Sequence, residues 1–268
     1  MVGPLLKKVW GNPLTKGVDF DDPQAIRLRH RILKSNPLLR AHYEKWYREF
    51  LKPCQETKNL GGDVIEIGCG PSFLDEMIPE VIKTDCVPNP FAGKIVDGMN
   101  MDFRDESLRA IFLVEVLHHM SHPGRFLAQA QRCLKPGGRL VMLEPNHDNF
   151  FMPAMLKCLN HYEYFDDTAE DWVNTCDNRF TNANLSLPWI IFFRDQERFR
   201  REFPRLRLRS VSYNTFLSYY VSGGMMFRPF LPKFSVPLVN AFEKACAPLM
   251  RFVGSVMVLD IEKTCSSV

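Results

Sequence analysis

Two glycines separated by one residue stand directly after a short apolar run, in the stretch VIEIGCG (64–70). Gly68 and Gly70 let the backbone turn sharply and approach a ligand closely, which is typical of a loop that holds a nucleotide. The third glycine of a dinucleotide-binding G-x-G-x-x-G motif is replaced by Phe73, and no G-x-x-x-x-G-K-S/T phosphate loop is present in the sequence. Binding of NAD is therefore not expected.

Three carboxylates are placed to contact such a nucleotide. Glu66 stands just before the glycines, where its charge would repel phosphate but suits an ammonium group or hydroxyls. Asp85 ends the next predicted strand, a position from which a carboxylate accepts hydrogen bonds from ribose hydroxyls. Asp102 precedes Phe103, so that a carboxylate and an aromatic ring could bind an adenine together. The alternative is that all three are loop residues that cap helices.

Histidines supply the candidates for proton transfer. His118 and His119 follow a predicted strand, and His161 stands further along with Glu163 and Asp166 in HYEYFDD. An imidazole suits a general base near neutral pH. The alternatives are a packed histidine beside a solvated one, and surface hydrogen bonding or a metal cluster in HYEYFDD. No metal is expected, because the scattered cysteines form no CxxC pair.

The elements that position these residues alternate between strand and helix. The apolar runs predict strands at 63–67, 81–84, 94–96, 108–114 and 139–143, and helices at 73–78 and 122–134. This alternation favours an α/β fold with a parallel sheet covered on both faces. Ligands of such sheets bind beyond the carboxyl ends of the strands, which is where the candidate residues fall.

The flanks differ from this core. Residues 1–59 predict a helical N-terminal cap, and 60–268 a single domain with its cofactor core at 60–145. Residues 146–190, rich in Asn, Asp and aromatic residues, are interpreted as acceptor-side loops. A helix at 196–203 and a strand at 206–213 follow. The apolar segment 214–252 is then an insertion before the final strand, predicted at 254–261.

Composition narrows the class of protein. A net charge of +3 over 268 residues does not indicate nucleic-acid binding, and the arginines between 194 and 209 alternate with acids as on a solvated face. The eight scattered cysteines indicate reduced thiols and a cytoplasmic location. We expect no signal peptide, and no uncharged run reaches the ~18 residues that a membrane span requires.

Five motifs in order, IEIGCG, TDCV, MDF, VEVLHHM and RCLKPGGRLVMLEP, resemble a class I S-adenosylmethionine-dependent methyltransferase of the type 11 kind. The resemblance implies a Rossmann-like seven-stranded sheet whose last strand is antiparallel, with S-adenosyl-L-methionine as cofactor. It implies that the glycines approach the methionine part, Asp85 the ribose and Asp102 the adenine. The full set of expected cofactor contacts is Glu66, Gly68, Cys69, Gly70, Asp85, Cys86, Met101, Asp102, Phe103 and Val114.

The flanking stretches NPLTKGVDFDDP, LPWIIFFRDQERFRREFP and LSYYVSGGMMFRPFLP look like a bacterial methyltransferase group associated with cell-surface polysaccharide and glycolipid synthesis. We therefore expect O-methylation of a small-molecule, saccharide or lipid-linked acceptor, with His118 or His119 as the base and His161 as the next candidate. Two alternatives stay open: a non-catalytic binding or scaffold subunit with this fold, and a peripheral membrane protein that attaches through 225–252.

Overall fold

The computed structural model describes residues 8–19, 22, 25–154, 163–174 and 183–265. Its strands are β1 (Asp63–Glu66), β2 (Val81–Asp85), β3 (Lys94–Ile95), β4 (Leu108–Val114), β5 (Leu134–Pro145), β6 (Leu206–Asn214) and β7 (Val256–Lys263). They form one seven-stranded sheet in the order β3-β2-β1-β4-β5-β7-β6. Strands β1 to β5 are parallel, and β7 runs antiparallel to both β5 and β6. The predicted Rossmann-like fold with an antiparallel last strand is confirmed.

Helices precede the sheet and cover it. They are α1 (Ala25–Ser35), α2 (Pro37–Glu56), α3 (Pro123–Cys133), α4 (Leu187–Trp189), α5 (Gln196–Glu202), α6 (Ser218–Ser222), α7 (Val236–Ala245) and α8 (Met250–Val253). Helix α2 begins where the sequence favours it, because the Asn36 side chain accepts a hydrogen bond from the Leu39 N–H and Pro37 occupies the first turn.

The two faces of the sheet are buried by different parts of the chain. Helices α1 and α2 cover one face, where the Phe50 ring stacks on Phe112 of β4 at 4.5 Å. Helix α3 covers the other face with Phe126 and Leu127, joined there by Phe199 of α5. The N-terminal helices are thus built into the core, and the expected helical cap is present.

All of the parallel strands end at one edge of the sheet, which we call the carboxyl edge. Since β7 is antiparallel to β5 and β6 to β7, strand β6 also ends at this edge, at Asn214. The chain from 215 to 255 therefore leaves and re-enters the sheet at the carboxyl edge. The loops after β1, β2, β4 and β5 and this insertion all meet on the same side of the molecule.

Two elements differ from the sequence prediction. The helix expected at 73–78 is a single 3-10 turn, Leu74–Glu76, because Pro79 disfavours the helical conformation at Ile78 and leaves too few residues. Strand β5 begins at Leu134, five residues before the predicted start, with Gly137 at a φ of +80° in an irregular first part. Within the described ranges, no helix is both long and apolar enough to cross a membrane.

Candidate active site

The glycine loop after β1 is shaped by two residues with positive φ. Gly68 has a φ of +65°, and a Cβ atom there would lie 2.8 Å from Cγ2 of Val116, so that only glycine fits without displacement. Gly70 has a φ of +49° and open space where a side chain would project. Cys69 between them is buried, and its N–H donates to the Thr84 carbonyl at 2.8 Å. The loop is thus held tightly on one side and open on the other.

Glu66, the last residue of β1, is a carboxylate shut off from solvent. Its side chain is 2% exposed, and Oε2 makes no hydrogen bond among the residues that the structure describes. Burial raises the pKa of Glu66 to about 8. A buried carboxyl group with an oxygen that lacks a partner is costly, unless a ligand supplies the missing donor.

Asp85, the last residue of β2, ties the glycine loop to the next loop. Its Oδ2 accepts hydrogen bonds from the Gly70 N–H at 3.0 Å and from Nδ2 of Asn89 at 2.7 Å. Both bonds use the same oxygen, so Oδ1 is available for a ligand. Cys86 follows at the same edge and is half-buried.

The loop after β3 holds the remaining cofactor candidates in three different environments. Met101 is buried in the core beneath α3, and Phe103 is half-buried with Lys94 Nζ 4.5 Å from its ring centre. The Asp102 side chain is fully exposed, and its Oδ2 lies 3.9 Å from Lys94 Nζ. The predicted adenine contact of Asp102 therefore stays a prediction.

Asp97 is an acidic residue at this edge that the sequence analysis did not select. It comes two residues after β3, and the N–H of neighbouring Val96 donates to the Asp85 carbonyl at 2.8 Å. Asp97 thus stands beside Asp85, whereas Asp102 lies five residues further along the loop. Asp97 could have been selected from its position, because it follows the end of a strand closely, and Glu66 and Asp85 likewise stand at the end of a strand.

Strand β4 ends at Val114, and the next residue is strained. Glu115 has a φ of +57°, a conformation that residues with a Cβ rarely adopt, and its N–H donates to the Leu143 carbonyl at 2.8 Å. Its Oε1 is enclosed without a hydrogen-bond partner in the described part of the chain. Burial raises the pKa of Glu115 to about 8. Such a residue at the carboxyl edge is a candidate for contact with the acceptor.

His118 is paired with a carboxylate that the sequence analysis did not single out. Nδ1 of His118 lies 2.6 Å from Oε2 of Glu144, and both side chains are almost fully buried. Oε1 of Glu144 accepts from the Val116 and Leu117 N–H groups at 3.1 and 2.8 Å. An ionised carboxylate only accepts hydrogen bonds, so Nδ1 carries the proton and Nε2 is directed away from Glu144. The pair forms a fixed His–Glu dyad.

The charge state of His118 follows from its neighbours. Burial alone lowers the pKa of an imidazole, but the carboxylates of Glu144, Glu115 and Glu163 outweigh burial and raise the pKa of His118 to about 9. Nε2 of His118 makes no hydrogen bond within the described ranges, and Glu163 Oε1 is the nearest carboxylate oxygen to it, at 3.9 Å.

His119 and Glu163 lie beside this dyad. Nε2 of His119 is 3.5 Å from Oε1 of Glu163, and the two imidazole rings of 118 and 119 are 4.2 Å apart. One ligand atom from each of His118, His119 and Glu163 lies within 4.8 Å of the others, which is close enough to surround a cation. The absence of a metal stays a prediction. His161 lies outside the described residues.

Three tyrosines lie close enough to Glu115 for its charge to affect them. The carboxylate of Glu115 contributes, after burial, to raising the pKa values of Tyr43, to about 12, and of Tyr219 and Tyr220. These three side chains come from α2 and α6, so an N-terminal helix and the insertion both reach the region around Glu115. Elsewhere in the expected acceptor loops, the His147 ring stacks on Trp189 at 4.2 Å.

Residues 39–187, more than half of the chain, match the family model of a methyltransferase domain. The chain belongs to this methyltransferase family. The predicted class I assignment is confirmed, and the cofactor of the enzyme is S-adenosyl-L-methionine.

Curated relatives match parts of the methyltransferase. A demethylmenaquinone methyltransferase of Tropheryma whipplei is 35% identical over an alignment of 89 positions that covers 27% of this chain and 37% of the relative. The phthiotriol/phenolphthiotriol dimycocerosates methyltransferase of Mycobacterium leprae is 26% identical over an alignment of 147 positions that covers 48% of this chain and 52% of the relative. The chain thus spans little more than a third of the length of the first of these relatives.

Two solved structures match the chain at low sequence identity. The [4+2]-cyclase SpnF is 14% identical, with 82% of each chain covered and a TM-score of 0.47. The N-methyltransferase NodS of Bradyrhizobium japonicum WM9, solved with S-adenosyl-L-homocysteine, is 11% identical, with 90% of this chain and 97% of NodS covered and a TM-score of 0.46.

The residues of the methyltransferase fit its cofactor. The enclosed Oε2 of Glu66 needs a donor, and the cofactor carries an ammonium group. The backbone at Gly68 and Gly70 leaves room for close approach, and one oxygen of Asp85 is available for hydroxyl groups. The structure therefore places four of the predicted contacts, Glu66, Gly68, Gly70 and Asp85, at the carboxyl ends of two adjacent strands and in the loop between them.

Proposed function

We propose that this methyltransferase transfers a methyl group to a hydroxyl oxygen of a small-molecule, saccharide or lipid-linked acceptor, with His118 as the general base. The observation that carries the proposal is the buried dyad, in which Glu144 holds Nδ1 of His118 at 2.6 Å while Nε2 makes no hydrogen bond within the described part of the chain. A hydroxyl acceptor needs such a base, whereas a carboxylate acceptor does not.

The cofactor would be held by the loops after β1, β2 and β3. Glu66 would accept from the ammonium group, the backbone of Gly68 to Gly70 would contact the methionine part, and Asp85 would accept from the ribose hydroxyls. Either Asp97 or Asp102 would take the adenine amino group. The walls of this pocket would be formed by Cys86, Met101, Phe103 and Val114.

When bound, S-adenosylmethionine supplies a methyl group already activated by a positively charged sulfur, which becomes a neutral thioether as the acceptor oxygen takes the methyl carbon. The protein needs to align the acceptor, exclude water and take one proton. Alignment of reacting groups at ~3–3.5 Å can supply several kcal/mol of the rate enhancement. Nε2 of His118 would accept the hydroxyl proton.

His118 must be neutral to act as a base. Its pKa of about 9 in the protein alone means that it is mostly charged at neutral pH. A cationic ligand in the neighbouring pocket disfavours the charged imidazole and so lowers the pKa of His118 toward neutrality. The His118–Glu144 dyad would thus become able to accept a proton when the cofactor is bound in the neighbouring pocket.

The acceptor class follows from the groups around His118. Glu115, Glu163 and the hydroxyls of Tyr219 and Tyr220 offer several hydrogen-bonding atoms in an enclosed region. An acceptor with more than one hydroxyl could pair with such groups, whereas a purely apolar acceptor would leave the enclosed Oε1 of Glu115 without a partner, at a cost of ~1–3 kcal/mol. This supports a saccharide-type acceptor, free or attached to a lipid.

The test is to incubate the protein and cofactor with fractionated polar and lipid-linked saccharides. Mass spectrometry would then search for the mass of one added methyl group. We expect an O-methylated product with the parent protein and a strongly reduced yield with His118→Ala. Glu170→Ala, which changes an exposed acid, is the matched control. A methyl group found on nitrogen or carbon would contradict the proposed acceptor atom, and full activity of His118→Ala would exclude His118 as the base.

A further inference from the structure

The insertion at the carboxyl edge presents an exposed apolar surface, which we call the α7 surface. It consists of Phe230, Phe234, Leu238, Phe242, Leu249 and Phe252, whose exposed fractions range from 43% for Phe230 to 78% for Phe234. Single exposed apolar residues are common in monomeric proteins, but a cluster of six large ones within 23 positions marks an interaction site.

Helix α7 is inverted relative to an ordinary surface helix. Its buried stripe contains Val239 and the acid Glu243, while Leu238, Ala241 and Phe242 are exposed. A helix on a protein surface normally faces the core with its apolar stripe and the solvent with its charged residues. Phe234 and Leu238, four residues apart, extend the outward apolar stripe beyond the first turn of the helix.

The reversal has a local cause. Oε1 of Glu243 accepts hydrogen bonds from the N–H groups of Phe216, Leu217 and Ser218, each at 2.8 Å, and Oε2 pairs with Lys45 of α2. Glu243 is therefore used internally, to hold the start of α6 against α2. Its negative charge does not reach the surface.

The charges that do reach the surface are all positive. Between 225 and 253 the chain has four basic residues, Arg228, Lys233, Lys244 and Arg251, all of them exposed, and Glu243 is its only acid. Arg251 pairs with Asp148 at 3.2 Å, while the other three make no ion pair within the described ranges. The α7 surface therefore combines exposed phenylalanine and leucine with uncompensated positive charge.

The arginine-rich region between 194 and 209 makes a useful contrast. There four of the seven arginines form ion pairs among the described residues, as in Arg198 with Glu202 at 2.7 Å and Arg209 with Glu262 at 2.8 Å. On the α7 surface only one of the four basic residues does so within the same ranges. The basic side chains of the α7 surface are thus less often paired with acids.

We propose that the α7 surface binds the headgroup region of a membrane that contains anionic lipid. Apolar side chains would enter the boundary between headgroups and acyl chains, and Lys233, Lys244 and Arg228 would contact the lipid phosphates, as in helices that lie flat on membranes. Because the insertion begins and ends at the carboxyl edge, docking would turn that edge toward the lipid. The proposal is independent of methyl transfer.

The test is sedimentation of the purified protein with vesicles of phosphatidylcholine, with and without phosphatidylglycerol, in the absence of cofactor. We expect binding to the anionic vesicles that weakens as salt is raised. Each basic residue near the surface contributes about fivefold in affinity, so Lys233→Glu with Lys244→Glu should weaken binding roughly 30-fold. Phe234→Ser with Leu238→Ser should weaken it about tenfold or more.

The matched controls are Lys52→Glu with Lys58→Glu, and Leu51→Ser, which alter exposed residues of similar type near the opposite edge. They should bind like the parent, and circular dichroism should show every variant folded. The proposal is overturned if the parent binds anionic vesicles no better than neutral ones. It is also overturned if the α7-surface variants bind vesicles like the parent, and light scattering shows that the parent is an oligomer while these variants are monomers. That result would make the surface an interface between copies of this chain.

Discussion

The cofactor side and the acceptor side of the carboxyl edge are built in different ways. On the cofactor side, Glu66, Gly68, Gly70 and Asp85 fall within 20 residues, on two adjacent strands and their loops. On the acceptor side, the groups around His118 come from β5, α6 and the acceptor loop as well as from β4. A site built from one short stretch of sequence suits a ligand that is the same across a family. A site built from several separate elements allows the acceptor to change.

Both sides also contain a buried carboxyl group, but with different partners. Glu66 stands beside Ser72 and Lys83, while Glu115 faces the charged dyad histidine. Burial raises the pKa of each to about 8. In the proposed function, Glu66 would receive a cation from the ligand, while Glu115 lies beside the charged His118 of the protein itself. The following experiments test this division, in order of expected effect.

The largest effect is expected on the acceptor side. His118→Ala should lower turnover by ~10²–10⁴, because a general base contributes that much, while the dissociation constant of S-adenosylmethionine changes little. His119→Ala is the control and should have a smaller effect. Rates from product assays and affinities from calorimetry would check this. Loss of cofactor affinity in His118→Ala would contradict the division into two sides.

The next effect is expected on the cofactor side. Asp85→Ala should weaken cofactor binding about tenfold or more, because charged hydrogen bonds of this kind contribute ~1.5–3 kcal/mol. Asp85→Asn keeps the volume of the side chain, and its cofactor affinity should lie between those of Asp85→Ala and the parent. Calorimetry gives the affinities, and thermal melts show whether the loop after β1 stays folded without the Gly70 contact. Unchanged affinity in both variants would remove Asp85 from the site.

Glu66→Gln should have opposite effects on stability and on binding. Since its pKa in the folded protein is raised to about 8 from 4.5, Glu66 costs stability progressively as pH rises between those values. The variant should therefore raise the free energy of unfolding at neutral pH by roughly 1–3 kcal/mol and bind the cofactor more weakly. Chemical denaturation at several pH values measures the first effect. A variant less stable than the parent at every pH would refute the assignment of Glu66 as an ionisable group without a partner.

Glu144→Gln should change the pH profile of turnover. Turnover by a general base rises with pH through the pKa of that base, so the parent should show a rising limb at or below about pH 9. Removal of the Glu144 charge lowers the pKa of His118 and should move the limb to lower pH by roughly one unit or more. An identical limb in parent and variant would mean that the titrating group is not this histidine.

The smallest effect concerns the adenine end of the pocket. We expect Asp97→Ala to weaken cofactor affinity by a few-fold, about 1 kcal/mol, and Asp102→Ala to weaken it less, because the Asp102 side chain is fully exposed. Calorimetry of the two single variants decides between them. The reverse order would support the adenine contact that the sequence motif MDF predicts for Asp102.

The same contrast explains what could be predicted from the sequence. The parallel strands and the glycine loop could be predicted from apolar runs and local motifs, because these depend on short stretches of sequence. The antiparallel last strand was expected only from the family resemblance. The dyad could not be predicted, since His118 and Glu144 are 26 positions apart and both fall in motifs that suggest other roles. The strained φ of Glu115 has no sequence signal at all.

Helix α7 shows a second limit. The apolar, proline-punctuated segment 214–252 predicts helices, but this pattern does not state which side of a helix faces inward. Tertiary contacts of Glu243 with the start of α6 decide the orientation, and these contacts are long-range. The helix predicted at 73–78 was wrong for a more local reason, because Pro79 limits it to one turn.

The cofactor side and the acceptor side are also connected by packing, through the contact between Gly68 and Val116. Val116 touches the glycine loop with its side chain and holds Glu144 with its N–H. An alanine at position 68 would need a smaller residue at 116, and would still carry a left-handed strain of ~1–2 kcal/mol. In evolution these two positions can change only as a pair, so any lineage that enlarges residue 68 should first shrink residue 116, and would thereby loosen the backbone that holds Glu144.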